Sequence, residues 1–179
     1  MTEAAPAPIR APIPAPIIVT ARFGRVDQAW FDALRQRHFP PERNHLAAHL
    51  TMFHHLPPSV APELKQRLAA EVRGIAAPAA RLAAPFLLGR GVAFRIDSPG
   101  LEDIRGRIAD AFAAVLTPQD RAGWRPHVTV QNKVAPSQAR ALLDALTRDF
   151  APRTVQISAL ATWWYRGGPW ESLSFHQFR

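Results

Sequence analysis

Two tetrapeptides of one pattern, His49-Leu50-Thr51-Met52 and His127-Val128-Thr129-Val130, stand 78 residues apart. With 7 histidines and 8 threonines in 179 residues, composition alone gives fewer than one His-x-Thr triplet. An unperturbed imidazole titrates near pH ~6.5, so two of them flanking one bound group provide a base and an acid that both work near neutrality. That pairing suits in-line displacement at a phosphodiester. One neutral ring takes a proton from the attacking oxygen, while the other, protonated, gives one to the leaving oxygen. Each threonine hydroxyl can donate to a non-bridging phosphate oxygen whose charge must be held. This chemistry needs no metal, but it needs both motifs at one place.

The rest of the chain repeats in the same register. A shift of 78 residues lays Pro58-Ser59 on Pro136-Ser137, Glu42-Arg43 on Asp120-Arg121, and Gly89 on Gly167. It also lays Leu64, Leu68 and Val72 on Leu142, Leu146 and Phe150, an i, i+4, i+8 stripe in both copies, as a helix packed on a sheet requires. The chain therefore reads as a duplicated unit. Each copy spells helix, strand, helix, strand, strand. The first copy has a helix over 26–39, a strand over 46–56, a helix from Val60 to about Ile75, and a hairpin of 81–88 and 92–97 around Gly89-Arg90-Gly91. The second has a helix over 101–116, a strand over 127–134, a helix over 137–150, and a hairpin of 154–165 with 171–178 around Gly167-Gly168-Pro169. A strand over 16–22 precedes both. The pattern predicts an α+β protein of two pseudo-twofold-related lobes, each an antiparallel sheet with outer helices, enclosing a central groove. A single bilobal domain is expected over 16–179, built from repeat units of about 25–97 and 101–178.

Strand side chains alternate, so His49 and Thr51 share one face while Leu50 and Met52 share the other, and His127 and Thr129 likewise oppose Val128 and Val130. The apolar members belong in the core, which leaves both His-Thr pairs on the groove side. Phe53 and His55 follow Thr51 on that face and are expected to line the groove or stack on a base. Lys133 follows on the His127 face. Arg43, Arg121 and Arg125 flank the motifs as candidates for positioning phosphates. Trp163, Trp164, Tyr165 and Trp170 offer stacking surfaces, but their place in the last hairpin favours packing across strands. His45, His54 and His55 invite a metal reading with His49. However, His45 and His49 share a face only on a helix, and no carboxylate completes the set, so no metal site is expected. His38 and His176 carry no functional assignment. Phosphate-binding loops, dinucleotide-binding glycine patterns and HExxH are all missing from the sequence.

Composition narrows the class further. The 22 Lys and Arg exceed the 14 Asp and Glu by 8, almost all as arginine, a balance that attracts anionic partners such as RNA or nucleotides. Cysteine is absent, which excludes disulfides and thiolate metal sites and removes the usual mark of an oxidising compartment. No apolar run approaches the ~20 residues of a membrane helix, so no membrane association is expected. The Ala/Pro/Ile stretch at 1–15 lacks the build of a signal peptide and reads as an extended, disordered arm. A cytoplasmic monomer without cofactors is the expectation.

The stretches RHFPPERNHLAAHLTMFHHLP and WRPHVTV, set in this duplicated helix-strand-helix-hairpin pattern, resemble the 2H phosphoesterase superfamily, most closely its bacterial 2′-5′ RNA ligase and cyclic phosphodiesterase branch. The resemblance runs from about residue 16 to the C-terminus. It implies metal-independent cleavage of 2′,3′-cyclic phosphates or 2′-5′ linkages in RNA or nucleotides, with ligation as the reverse reaction. Its four motif residues fall on His49, Thr51, His127 and Thr129. Family members often carry a basic residue directly after the second motif; here Gln131 and Asn132 come first and Lys133 follows. Two alternatives stay open, a cyclic phosphodiesterase confined to small nucleotides and a module that binds RNA or a nucleotide without turnover.

Overall fold

The computed structural model describes residues 15–179. The arm expected over 1–15 lies outside them except for Ala15, which is buried. Seven strands, β1 (Ile17–Phe23), β2 (Leu50–Leu56), β3 (Ala79–Leu87), β4 (Val92–Asp97), β5 (His127–Gln131), β6 (Arg153–Trp164) and β7 (Glu171–Gln177), form one sheet with every pairing antiparallel. Its path is β2-β1-β6-β3-β4-β5, with β7 also paired to β6. The helices are α1 (Arg25–His38), α2 (Ala61–Val72), α3 (Pro99–Ala111), the single turn α4 (Pro118–Arg121) and α5 (Pro136–Arg148). None is long and apolar enough to cross a membrane.

The twelve-residue β6 divides the sheet into two halves. Arg153–Gln156 pair with β3, whereas Ile157–Trp164 pair with β1 and much of the same stretch also with β7. One half is therefore β2-β1-β6-β7 and the other β5-β4-β3-β6. Each half joins the motif strand of one repeat to the hairpin of the other, so the repeats read from the sequence are not the halves of the sheet. The helices exchange in the same way, with α1 of the first copy packing on β5 of the second. Although β2 and β5 are the two ends of the path, they lie against each other, which is the curl of a half-barrel.

The stripes behave as amphipathic faces should. Leu64, Leu68 and Val72 are buried, as is Leu142, with Leu146 and Phe150 packed at the core margin. The helix expected to run to residue 116 ends at Ala111, followed by a tight turn over Ala113–Val115. Pro118 keeps Thr117 extended, so the chain must leave helical geometry before it.

Candidate active site

Both motifs obey strand alternation. Leu50, Met52, Val128 and Val130 are fully buried, while His49, Thr51, His127 and Thr129 are partly open. His49 stands one residue before β2 because the strand expected from 46 starts only at Leu50. Ala48 is held instead by α1, its N–H donating to Asp32 Oδ1 at 2.6 Å and its carbonyl accepting from Gln28 Nε2 at 2.8 Å. On the same helix, Arg35 donates from Nη1 to the Thr129 carbonyl at 2.9 Å and from Nε to Asn44 Oδ1 at 3.1 Å. Gln28, Asp32 and Arg35 lie at i, i+4, i+7, one stripe of α1 beside the buried Phe31 and Leu34. One helix thus sets the position of both motifs. Trp124, three residues before His127, closes the frame by donating Nε1–H to the Thr51 carbonyl at 2.8 Å.

The two imidazoles are anchored alike. His49 Nδ1 lies 2.8 Å from the Ala47 carbonyl and His127 Nδ1 2.7 Å from the Arg125 carbonyl, in each case two residues upstream. A carbonyl only accepts, so Nδ1 carries the hydrogen and Nε2 is the nitrogen left for chemistry. Burial pushes the His49 pKa down to about 4; the Ala47 carbonyl opposes this, while charges on Arg35, His127 and His54 add to it. His49 therefore lies within electrostatic reach of His127, and it is neutral at pH 7. The reading of two unperturbed imidazoles is corrected for His49.

Two other expectations, those for Phe53 and Lys133, are corrected. Thr20 pairs with Thr51 and Val19 with Phe53, one step on β1 against two on β2, so β2 carries a bulge at Met52. The bulge breaks the alternation and turns Phe53 into the core at 0 % exposure, where the Arg105 guanidinium covers its ring at 4.7 Å; no base can stack on it. His54 and His55 are both exposed, and both donate their N–H to Asp120, at 2.8 and 2.9 Å. β5 stops at Gln131, short of the expected 134, and Lys133 sits in a left-handed turn (φ 60°), its N–H bonded to Asn132 Oδ1, so strand alternation does not carry it to the His127 face.

The flanking arginines differ from one another. Arg43 is exposed beside Glu42, and Arg121 turns to the Ala113 carbonyl, whereas Arg125 lines a cavity of about 660 Å³ with Phe86, Trp124, Arg95 and Glu102. The Phe86 ring meets His127 edge-on at 5.9 Å, which places this cavity beside the second motif. A smaller cavity of about 220 Å³ adjoins His49, walled by Arg22, Trp163 and Trp170. The two tryptophans do pack together, at 6.2 Å, as the hairpin implies, and Trp170 also lies 4.6 Å from the His49 ring. Among the described residues no three His, Asp or Glu side chains group as metal ligands.

Asp120, which the sequence did not single out, ties the β2 edge to α4. Its buried carboxylate accepts the N–H groups of His54 and His55 and lies 3.1 Å from His54 Nδ1. Arg105 from α3 bonds the neighbouring Met52 and Asp120 carbonyls at 2.9 and 2.7 Å. Burial raises the Asp120 pKa, but hydrogen bonds from His54 and His55 outweigh it and hold the carboxyl below its ordinary value. A depressed carboxylate stabilises the fold above its unfolded pKa and ceases to as pH falls through the folded value. Asp120→Asn is expected to lower stability at pH 7 by about 1–3 kcal/mol. The gap to wild type should close as the pH falls below the ordinary carboxylate value and through the lower folded one, and urea titrations at pH 7 and 2 measure both.

The fold has relatives. TT0787 of Thermus thermophilus superposes with a TM-score of 0.61 at 14% identity, covering 92% of this chain and 98% of that one. The apo form of E. coli LigT gives 0.54 at 18%, and its complex with 3′-AMP 0.52 at 17%, both with the same coverage. No curated protein sequence matches. The family model of the 2′-5′ RNA ligase superfamily matches residues 23–169, most of the chain and both motifs. The chain therefore belongs to the 2′-5′ RNA ligase superfamily, among the 2H phosphoesterases.

Proposed function

We propose that the protein is a metal-independent phosphoesterase that opens 2′,3′-cyclic phosphates or cleaves 2′-5′ linkages in RNA or nucleotides, with His49 as base and His127 as acid. The observation that carries the reading is the matched anchoring of the two imidazoles, each held through Nδ1 on a carbonyl with Nε2 left for substrate, on strands that curl together. His49 is the base because its ring is neutral at pH 7. Its Nε2 takes the proton of the attacking water as the new P–O bond forms. The ester bond to the leaving ribose oxygen breaks in line, and that oxygen receives the proton from His127 Nε2. The Thr51 and Thr129 hydroxyls donate to the non-bridging oxygens, whose charge grows in the transition state. The LigT complex with 3′-AMP supports a nucleotide as the ligand class.

The test is turnover of 2′,3′-cyclic nucleotides, cyclic-phosphate-ended RNA and 2′-5′ dinucleotides with EDTA present. Cleavage of at least one class, undiminished by EDTA, is expected. Loss of activity to EDTA with recovery on adding zinc or manganese refutes metal independence, and nucleotide binding without turnover of any substrate leaves a binding module. Because His49 titrates at about 4, kcat/KM should hold from pH 7 down to about 5, then fall tenfold per unit below about 4. An acid limb near pH 6.5 removes His49 as the base.

A further inference from the structure

The cavity beside His49 has the composition of a base-binding site. At about 220 Å³ it is too small for a whole nucleotide but takes one planar ring. Trp170 forms one wall, its ring tilted 52° to the His49 imidazole at 4.6 Å. Trp163 forms the next and is fixed in place, since its Nε1–H donates to the buried Thr20 hydroxyl at 2.9 Å. Arg22 of β1 completes it, with its guanidinium 5.6 Å from the centre of the Trp163 ring.

Arg22 decides what kind of ring fits. Arg43, Arg95 and Arg121 are each turned to a carboxylate or a carbonyl, and Arg125 lines the other cavity. The Arg22 guanidinium lies over an aromatic face and makes no hydrogen bond or ion pair among the described residues. A guanidinium is donor-only, in a rigid fork. Two base edges answer a fork with two adjacent acceptors, O6/N7 of guanine and O2/N3 of cytosine; adenine offers N7 beside a donor, and uracil's carbonyls flank an N–H. Of the two that fit, guanine lays the larger ring on the tryptophans. Stacking on an aromatic side chain holds any base, so the tryptophans supply affinity and Arg22 the choice.

We propose that this cavity is a guanine-selecting subsite, with Trp170 as its stacking platform and Arg22 as its reader. It serves the nucleoside on the His49 side of the phosphate, and in that respect the proposal rests on the reading of His49 as part of the phosphate site.

The test is isothermal titration with the 3′-monophosphates of guanosine, adenosine, uridine and cytidine, which undergo no turnover. Wild type should bind the guanosine nucleotide roughly 5- to 150-fold more tightly than those of adenosine and uridine, with cytidine between. Arg22→Lys keeps the charge but loses the fork and should erase that preference, leaving the adenosine and uridine affinities in place. Trp170→Ala should weaken all four by about 5- to 150-fold, while Trp170→Phe, which keeps an aromatic face, should restore most of the loss. Equal affinities in wild type, a preference that survives Arg22→Lys, or indifference to Trp170→Ala each overturn the subsite. Guanine-selective binding without turnover of any cyclic phosphate keeps the subsite and removes the catalytic reading. Turnover without base preference does the reverse.

Discussion

Replacing His49 or His127 with alanine is expected to lower turnover of a cyclic phosphate by about 10²- to 10⁴-fold, the usual worth of a positioned acid or base. The loss should fall on kcat, because both rings act on protons that move in the transition state. The double replacement should cost little more than either single one, since the pair serves one step and the second ring is idle once the first is gone. Thr51→Ala and Thr129→Ala should cost less, roughly 10- to 150-fold, the range for one hydrogen bond to a charged oxygen. Both histidines are partly open and, among the described residues, their rings hydrogen-bond only upstream carbonyls, so the alanine variants should fold. Steady-state kinetics with thermal melts as the folding control decide the matter, and near-wild-type kcat in either histidine variant would sink the assignment. The His49 variant has a second readout. A histidine neutral in the fold but protonatable when unfolded makes stability rise with pH between about 4 and 6.5. His49→Gln should flatten that part of the pH–stability curve.

Arg35→Ala, a change outside the motifs, should lower kcat by about tenfold to a hundredfold. Its side chain is 4 % exposed and joins α1 to the Thr129 carbonyl, while Asp32 and Gln28 on the same helix hold the residue before His49. Removing it leaves that carbonyl and Asn44 without their donor and frees β5 to shift against β2, and displacements near 1 Å cost about a hundredfold in a two-group mechanism. A merely structural residue would lower stability alone. Arg35 also lowers the His49 pKa through its charge, so its loss should move the acid limb of the pH–rate profile upward. Arg35→Lys, which keeps the charge, should leave the limb in place while restoring only part of kcat. A variant that melts early with an unshifted pH profile and unchanged kcat would confine Arg35 to stability.

The exposure of the two motifs was legible from the chain because it depends on local rules. Alternation puts Leu50, Met52, Val128 and Val130 inside and leaves His49, Thr51, His127 and Thr129 accessible, and every strand expected from the duplicated pattern is present. Local rules failed where a local irregularity intervened. The bulge at Met52 turned Phe53 inward, and the left-handed turn at Lys133 took that residue off its strand. Neither the extra residue of a bulge nor the end of a strand is written in period-two alternation, because both are settled by the neighbouring strand's hydrogen bonds. Gln28, Asp32 and Arg35 could have been noticed as a polar stripe at helical spacing, but not what they bind.

By itself, then, the sequence determined the antiparallel α+β architecture and the side of each motif strand that carries histidine and threonine. Those follow from periodicity and side-chain chemistry over a few residues. Tertiary structure alone decided that each half of the sheet takes its motif strand from one repeat and its hairpin from the other, and that α1 spans both motifs. It also decided that burial keeps the His49 imidazole neutral at pH 7 and that Arg22 and Trp170 wall a cavity beside it. Two His-x-Thr copies are nearly alike as sequence. What separates them is the burial and charge that each meets once distant segments close around it, and desolvation has no magnitude until that packing exists.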